Sequence, residues 1–377
     1  GDPLAYYYNF IDTTGEHVVA DILNHLGYDA ATVGNHDIEA GHAVYDRVRR
    51  QYNFPLLAAN AVHSESGEPY FEPYTIISKG GLKIAVFGLI TPSVPRWLPE
   101  SLYEGIRFDN MVETAARWMP LIKAENPDII VGLFHSGMGD EDDTGEDENS
   151  TLAVAVNVPG FDVIFCGHDH RQDVTEVTTV NGDRVVILDG GSRAEALMNA
   201  TVTFGKNPDG TVEKKISGRV IPMEDLPESL AFIKRYRKVS DSLRAYTSQV
   251  IGRSTASFGT RDAFFGPSAF VDLIHQMQLD ISGADISLAA PLSFDQVISE
   301  GELRIRDMYR LYRFENFLYT VNMTGGEIDR HLEHASGLWF DTMEGIDDHM
   351  LRYRYDDSGE PVMMNGTARL RNPSYNF

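Results

Sequence analysis

Cysteine is almost missing from this chain: Cys166 stands alone among 377 residues. An internal disulfide is therefore excluded, and cysteine usage names no redox compartment. Its neighbours Val163, Ile164 and Phe165 mark Cys166 as a small buried apolar residue. No run of 18 apolar residues occurs, which excludes a membrane-spanning helix. No leader of secretory type opens the sequence, and internal repeats and low-complexity segments are missing too. Positive charge is scarce. With 32 Lys and Arg against 56 Asp and Glu, the formal net charge is −24. Such a balance argues against a nucleic-acid polymer as partner, because phosphate backbones are held by clustered Lys and Arg. A small anionic substrate stays compatible with it where metal ions reverse the local field.

What remains is ordinary for a globular protein, at 42% hydrophobic and 23% charged residues. A chain of 377 residues exceeds what one core normally holds, so two domains are expected. Three stretches stand out because each runs from an apolar strand into side chains that bind metals. Ala31 to Val33 leads into Gly34, Asn35, His36 and Asp37. Ile129 to Phe134 ends in His135, and Val163 to Gly167 ends in His168, Asp169 and His170. Open α/β sheets gather ligands outside the carboxyl ends of their strands, so Asn35, His135, His168 and His170 would meet at one edge. Imidazole nitrogen with amide oxygen suits zinc, manganese, iron or cobalt better than calcium.

The segments Gly34–Asn35–His36–Asp37, Phe134–His135–Ser136–Gly137 and Gly167–His168–Asp169–His170 together resemble the calcineurin-like metallophosphoesterases. Within them the resemblance is to the periplasmic 5′-nucleotidase and 2′,3′-cyclic-nucleotide phosphodiesterase family, and it extends over almost the whole chain. It implies two divalent ions, with Asn35, His135 and His168 on one and His170 on the other. It makes His36 the general acid or transition-state stabiliser, with Glu39 a candidate to orient it. It also implies a periplasmic or extracellular location. The family's Asp–x–His pair and bridging Asp are not among these residues. Gly1–Asp2–Pro3–Leu4–Ala5–Tyr6 looks like the tail of the family's Asp–Asn–Gly–Asp–x–x–Gln–Gly–x–Pro motif, and Asp2 falls at its variable position. Either that first strand precedes Gly1 or one half of the metal site is missing.

The expected fold is α/β: a two-sheet β-sandwich flanked by helices over residues 1–221, a connecting helix over 222–250, and a smaller α/β nucleotide-binding domain over 251–377. Apolar positions Val18, Val19, Ile22, Leu23 and Leu26 predict a helix closed by Gly27. Helices are also expected over 42–52 and 111–124, and a hairpin from Tyr74 to Ile90 across Gly80–Gly81. The β-type runs 174–180, 184–188, 199–204 and 214–220, parted by Asn181–Gly182 and Asp209–Gly210, predict a second, antiparallel sheet. Periodicity alone leaves the 222–249 helix open between connector and simple packing helix. In the C-terminal third, helices are expected over 267–279, 305–312 and 325–336, and strands over 286–290 and 319–323.

The acidic run from Asp140 to Glu148 reads either as a solvated loop, since like charges repel, or as a rim of the metal cleft; it lacks the spacing of a calcium loop. Gly190–Gly191–Ser192, after the strand ending at Asp189, reads as a structural turn, although the resemblance implies that this stretch lies near the site. Phe314 alone reads as a core aromatic. By resemblance, Phe314 and Asn316 belong to an aromatic–x–asparagine motif that stacks a base, with Tyr375 and Phe377 as candidates for the second aromatic. Stacking suits an enzyme that accepts many nucleotides, because every base has a π-face.

The 5′-nucleotidase branch places arginines where this chain has Phe264–Phe265–Gly266–Pro267–Ser268. Ala289 to Leu292 and Leu303 to Asp307 look more like the 2′,3′-cyclic-nucleotide 2′-phosphodiesterase/3′-nucleotidase branch. That activity is the expectation, with 5′-nucleotidase or nucleotide-sugar hydrolase next. A nucleotide-binding module without catalysis is the alternative of another class, and a protein phosphatase would have no use for the Phe314–Asn316 domain.

Overall fold

The computed structural model describes residues 3–140, 143–206, 212–264, 266–289, 296–311 and 317–346, with 352, 359, 363–364 and 367–368 beyond them. The chain divides into two compact units, one spanning residues 8–235 and the other joining residues 1–7 to 236–377. No helix among the described residues is long and apolar enough to cross a membrane.

In the first unit, helix α1 (Val18–Leu26) forms where the apolar spacing predicts it, and Gly27 ends it in the left-handed conformation at φ 75°. Strand β1 (Ala31–Thr32) runs into the short helix α2 (Asn35–Glu39) and pairs in parallel with β2 (Leu56–Leu57). β3 (Tyr74–Lys79) and β4 (Leu82–Ile90) form the expected antiparallel hairpin. Helix α3 (Met111–Ala124) follows, capped by the Asn110 side chain, which accepts the Glu113 N–H at 2.9 Å. Strand β5 (Ile129–His135), helix α4 (Thr151–Asn157) and strand β6 (Val163–Gly167) continue the alternation, and β7 (Gln172–Thr178) and β8 (Arg184–Gly190) close it.

These strands make one six-stranded sheet in the order β3-β4-β5-β6-β8-β7. Its middle is parallel, which requires both faces to be covered and explains the near-continuous apolar runs. The last six residues of β4 are all buried. One face carries Met111, Ala115, Met119 and Ile122 of α3, a helical stripe pressed against Phe87, Phe134 and Ile164. Phe134 meets Phe87 and Phe161 edge-on, with ring centroids 6.4 and 5.5 Å apart. Fully burying each such side chain stabilises the fold by roughly 1.5–3 kcal/mol.

The expected second sheet is smaller than its sequence suggests. Runs 174–180 and 184–188 join the main sheet as β7 and β8, because Val185, Ile187 and Leu188 are fully buried there and β8 pairs in parallel with β6. Only the antiparallel pair β9 (Ala196–Lys206) and β10 (Val212–Pro222) forms a separate layer. It packs Met198, Ala200 and Ile216 onto Val186 and Leu188 of β8. Helix α5 (Leu230–Thr247) begins later than expected and buries only Tyr236 of its apolar stripe.

The second unit contains β11 (Val250–Ser254), α6 (Ala269–Ser282), β12 (Gly301–Arg304), α7 (Ile305–Leu311) and α8 (Gly325–Trp339), with β11 antiparallel to β12. Thr324 and Glu327 cap α8 reciprocally. The strands expected at 286–290 and 319–323 do not form among the described residues. Ile286, Tyr319 and Val321 are 56%, 62% and 67% exposed, and β-type side chains without a sheet neighbour have nothing to pack against.

Gly88 in β4 tests the closeness of this packing. A Cβ there would lie 2.3 Å from the Cβ of Leu57 and 2.8 Å from its carbonyl carbon. Gly88→Ala is expected to cost about 1–3 kcal/mol, lowering Tm by roughly 2–12 °C in a unit of this size. Gly15→Ala, which meets nothing within 4 Å, should leave Tm unchanged. Equal Tm values for the two variants by scanning calorimetry would refute the packing described.

Candidate active site

Register delivers the site. Ile90 pairs with His135 and His135 with Gly167, while Cys166 pairs with Asp189. The carboxyl ends of the four parallel strands therefore lie in one row, and the residues leaving them share one edge.

At that edge α2 begins at Asn35. Gly34 caps it and has its N–H held by Asp37 Oδ2 at 2.8 Å. The approach here is close: a Cβ on Gly34 would stand 3.0 Å from the Cε1 of His135, so the ring would have to shift by a few tenths of an ångström. The His135 imidazole thus lies against bare backbone, with Nε2 2.8 Å from Asn35 Oδ1 and 3.3 Å from His168 Nδ1. An amide oxygen and two imidazole nitrogens converge. Ligand atoms about 2.1 Å from one ion sit roughly 3.0–3.4 Å apart, so the donor set suits a single divalent cation. Among the described residues no three His, Cys, Asp or Glu side chains gather in this way; here the third donor is the amide.

Burial, reinforced by the nearby imidazoles of His168, His36 and His170, pushes His135 down to about 3. Burial also lowers His168, against the opposing pull of Glu148. Both rings are thereby held neutral, the form that offers a lone pair to a metal. Glu148 Oε1 lies 2.9 Å from His168 Nε2, and the Trp97 ring lies 5.5 Å from the His168 ring at 37°. The acidic run consequently reaches the site through its last member.

His36 has the opposite character. Its Nδ1 is 2.6 Å from Glu39 Oε2, and that hydrogen bond, partly opposed by burial, raises its pKa. The extra methylene of Glu39 relative to aspartate does not take the carboxylate out of reach. With 67% of the imidazole side chain exposed, solvent screens the pair and its contribution to stability is small.

His168 and His170 both adopt positive φ, at 125° and 60°, a conformation costly for side-chain-bearing residues. Asp169 between them fixes the turn: its Oδ2 accepts the Met138 N–H at 3.3 Å and its Oδ1 the Arg171 N–H at 3.2 Å. Asp189, fully buried on β8, is pushed up by burial and by the Asp169 carboxylate, and its Oδ1 holds the Gly191 N–H at 3.0 Å. Cys166 is buried as expected, with Sγ 3.8 Å from Asp189 Oδ2.

Asn35, His36, His135, His168 and His170 line one cleft of about 530 Å³, closed on another side by the turn from Gly190 to Ala194. That turn therefore lines the cleft, near the site, as the resemblance implies. Glu148 belongs to the acidic run that one reading made a rim of the cleft, and Asp169 lies within a quoted motif, but neither was given a role of its own; Asp189, Trp97 and Arg193 went unread, and a Gly–Gly–Ser–Arg turn directly after an apolar strand was the available signal for the last. Phe314, Asn316, Tyr375 and Phe377 lie outside the described residues.

Residues 1–172 match the calcineurin-like phosphoesterase family, and residues 250–367 match the 5′-nucleotidase C-terminal domain. The chain carries a calcineurin-like phosphoesterase domain followed by a 5′-nucleotidase C-terminal domain. Calcineurin-like phosphoesterases typically use divalent metals. The chain is 25% identical to the 2′,3′-cyclic-nucleotide 2′-phosphodiesterase/3′-nucleotidase of Haemophilus influenzae, over 94% of its own length and 63% of that protein. It thus spans less than two thirds of that relative. The crystal structure of the calcineurin-like phosphoesterase YfkN of Bacillus subtilis is 25% identical, with a TM-score of 0.57 over 65% of this chain and 81% of that one. A Staphylococcus aureus chain assigned as a 5′-nucleotidase has a TM-score of 0.76 at 20% identity, covering 91% of this chain and 66% of that one. At that identity the likeness shows the fold.

The opposite shifts of His36 and His135 can be read directly. In the metal-free protein, His36 is expected to titrate above the ordinary imidazole value, its cation persisting until pH rises through the raised pKa. Glu39→Ala should bring it down. His135 should stay neutral on acidification to about pH 3. Proton-detected NMR titration of the imidazoles tests this, and His135 protonating near pH 6.5 would sink the assignment.

Proposed function

We propose that the cleft hydrolyses nucleotide phosphoesters, as a 2′,3′-cyclic-nucleotide 2′-phosphodiesterase/3′-nucleotidase, in the periplasm or outside the cell. The observation that carries this reading is that His135 Nε2 lies 2.8 Å from Asn35 Oδ1 and 3.3 Å from His168 Nδ1 at the strand edge. Asn35, His135 and His168 would hold one divalent ion, zinc, manganese, cobalt or iron, and His170 would contribute to a second. When bound, the ions supply charge neutralisation at phosphorus and a water of lowered pKa.

The chain's own residues do the rest. His135 and His168, kept neutral by burial, present lone pairs and leave the positive charge of bound ions uncompensated. His36, whose pKa the Glu39 hydrogen bond raises, can in its protonated form donate to the leaving alkoxide or stabilise the charge that develops there. Phe314 and Asn316, with Tyr375 or Phe377, would take the base in the C-terminal domain. A 5′-nucleotidase is the second reading, favoured by the 5′-nucleotidase of Vibrio parahaemolyticus, 25% identical over 81% of this chain. A nucleotide-sugar hydrolase or a nucleotide-binding module without catalysis would appear as its own pattern of rates.

With Mn²⁺ or Zn²⁺ added, the protein is expected to hydrolyse 2′,3′-cyclic AMP and 3′-AMP faster than 5′-AMP. His36→Ala should lower kcat about 10²–10⁴-fold with metal content unchanged. No hydrolysis of any of the three by the metal-loaded protein would overturn the enzymatic reading. Full activity in His36→Ala would remove that residue from the chemistry.

A further inference from the structure

We propose that Arg193 is a substrate-phosphate contact, supplied by the phosphoesterase domain itself, which sets the preference of the cleft for dianionic phosphomonoesters over cyclic diesters. The inference rests on the phosphoester reading above and adds a residue that the conserved-looking histidine motifs do not include.

The placement comes first. Arg193 lines the same cleft as Asn35, His36, His135, His168 and His170, from the turn on its other side. Among the described residues no lysine or second arginine lines that cleft. Arg193 is exposed, and among the described residues its guanidinium has no ion pair or hydrogen bond. The chain has 56 acidic residues and a formal charge of −24, and Arg107, Arg184, Arg235 and Arg304 each have a carboxylate partner. An arginine left without one at the mouth of a histidine cluster is available to an anion that arrives from solution.

The backbone gives the second argument. Arg193 and the following Ala194 both adopt positive φ, at 57° and 54°, where glycine would be at ease and a side chain is strained. The surroundings impose this conformation. Asp189, fully buried, holds the Gly191 N–H, the Glu195 N–H bonds Ser192 O at 3.1 Å, and the Met223 N–H bonds Glu195 O at 2.9 Å. The turn is thus tied to β8 and to the end of β10, and it carries an arginine where glycine would fold more easily.

The chemistry of the guanidinium selects the ligand. Its planar fork matches two oxygens of a phosphate, and the match is best where two or more non-bridging oxygens carry charge. A 3′-phosphomonoester presents three such oxygens and close to two charges. A 2′,3′-cyclic phosphate presents two oxygens sharing one charge. Arg193 therefore holds the monoester and the released inorganic phosphate more firmly than it holds the cyclic ester.

Arg193→Gly separates this role from a structural one, because glycine relieves the strained φ while removing the guanidinium. In the Mn²⁺-loaded protein, Arg193→Gly is expected to raise KM for 3′-AMP and the inhibition constant of inorganic phosphate about tenfold or more. The rise for 2′,3′-cyclic AMP should be smaller, kcat should change less than KM, and Tm should be equal or higher. Arg193→Lys should recover part of the phosphate affinity by charge alone. Wild-type KM and phosphate inhibition in Arg193→Gly would overturn the inference while leaving the hydrolase reading intact. A wild-type protein that hydrolyses none of the nucleotides would instead overturn the hydrolase reading. Calorimetric titration of wild type and Arg193→Gly with inorganic phosphate still decides the role of Arg193 in that case, equal affinities refuting it.

Discussion

The parallel register of β4, β5, β6 and β8 is the constraint on which the site depends. Side chains alternate across a strand with period two, so a slip of one residue would send His135 to the opposite face and bury a charged or polar neighbour in its place. What forbids the slip is the core beneath it. Phe87, Phe134 and Ile164 are buried under α3, and Val163, Val186 and Leu188 under the β9–β10 layer. Both faces of the sheet therefore vote for the same register, and that register aligns Ile90, His135 and Gly167 in one row. The donor atoms meet because the apolar residues several positions earlier cannot be moved.

Charge is distributed to suit an anionic ligand in an acidic protein. The converging donors Asn35, His135 and His168 are all neutral, since burial lowers both histidines. Cationic character is kept at two positions beside them: His36, sustained by Glu39, and the unpaired Arg193. Glu148 at 2.9 Å from His168 Nε2 orients that ring through its outer nitrogen, the usual way in which a carboxylate fixes the tautomer of a ligating histidine. A carboxylate acting at one remove positions the imidazole without spending the charge of a bound ion.

Much of this was legible in the sequence, for a definable reason. Where a parallel strand is buried on both faces, its apolar run is unbroken, and the first polar residue marks its carboxyl end. Asn35, His135, His168 and His170 could be found that way. The readings that failed depended on information that no local window holds. Residues 172–190 have the composition of any antiparallel hairpin, and only the long-range pairing of β8 with β6 places them in the main sheet. Tyr319 and Val321 carry strand propensity, which acts through neighbours that the described residues do not supply. Glu148 sits at the end of an acidic run, and nothing within that run singles it out from its neighbours as the member that reaches His168. Glu39 was visible at the right offset from His36, but its reach depended on a helical turn that only the coordinates give.

Strain at the strand edge explains why acidic residues occur there without being ligands. His168 and His170 each take a positive φ, a cost of order 1–3 kcal/mol apiece that surrounding bonds must offset. Asp169 accepts two backbone N–H groups, from Met138 and Arg171, and so braces the turn against the loop that follows β5. Asp189 does the same for the turn after β8 by holding the Gly191 N–H. Burial, with the nearby Asp169 carboxylate adding to it, raises Asp189. Each aspartate thus braces one turn through backbone N–H groups, Asp169 the turn bearing His168 and His170 and Asp189 the turn bearing Arg193.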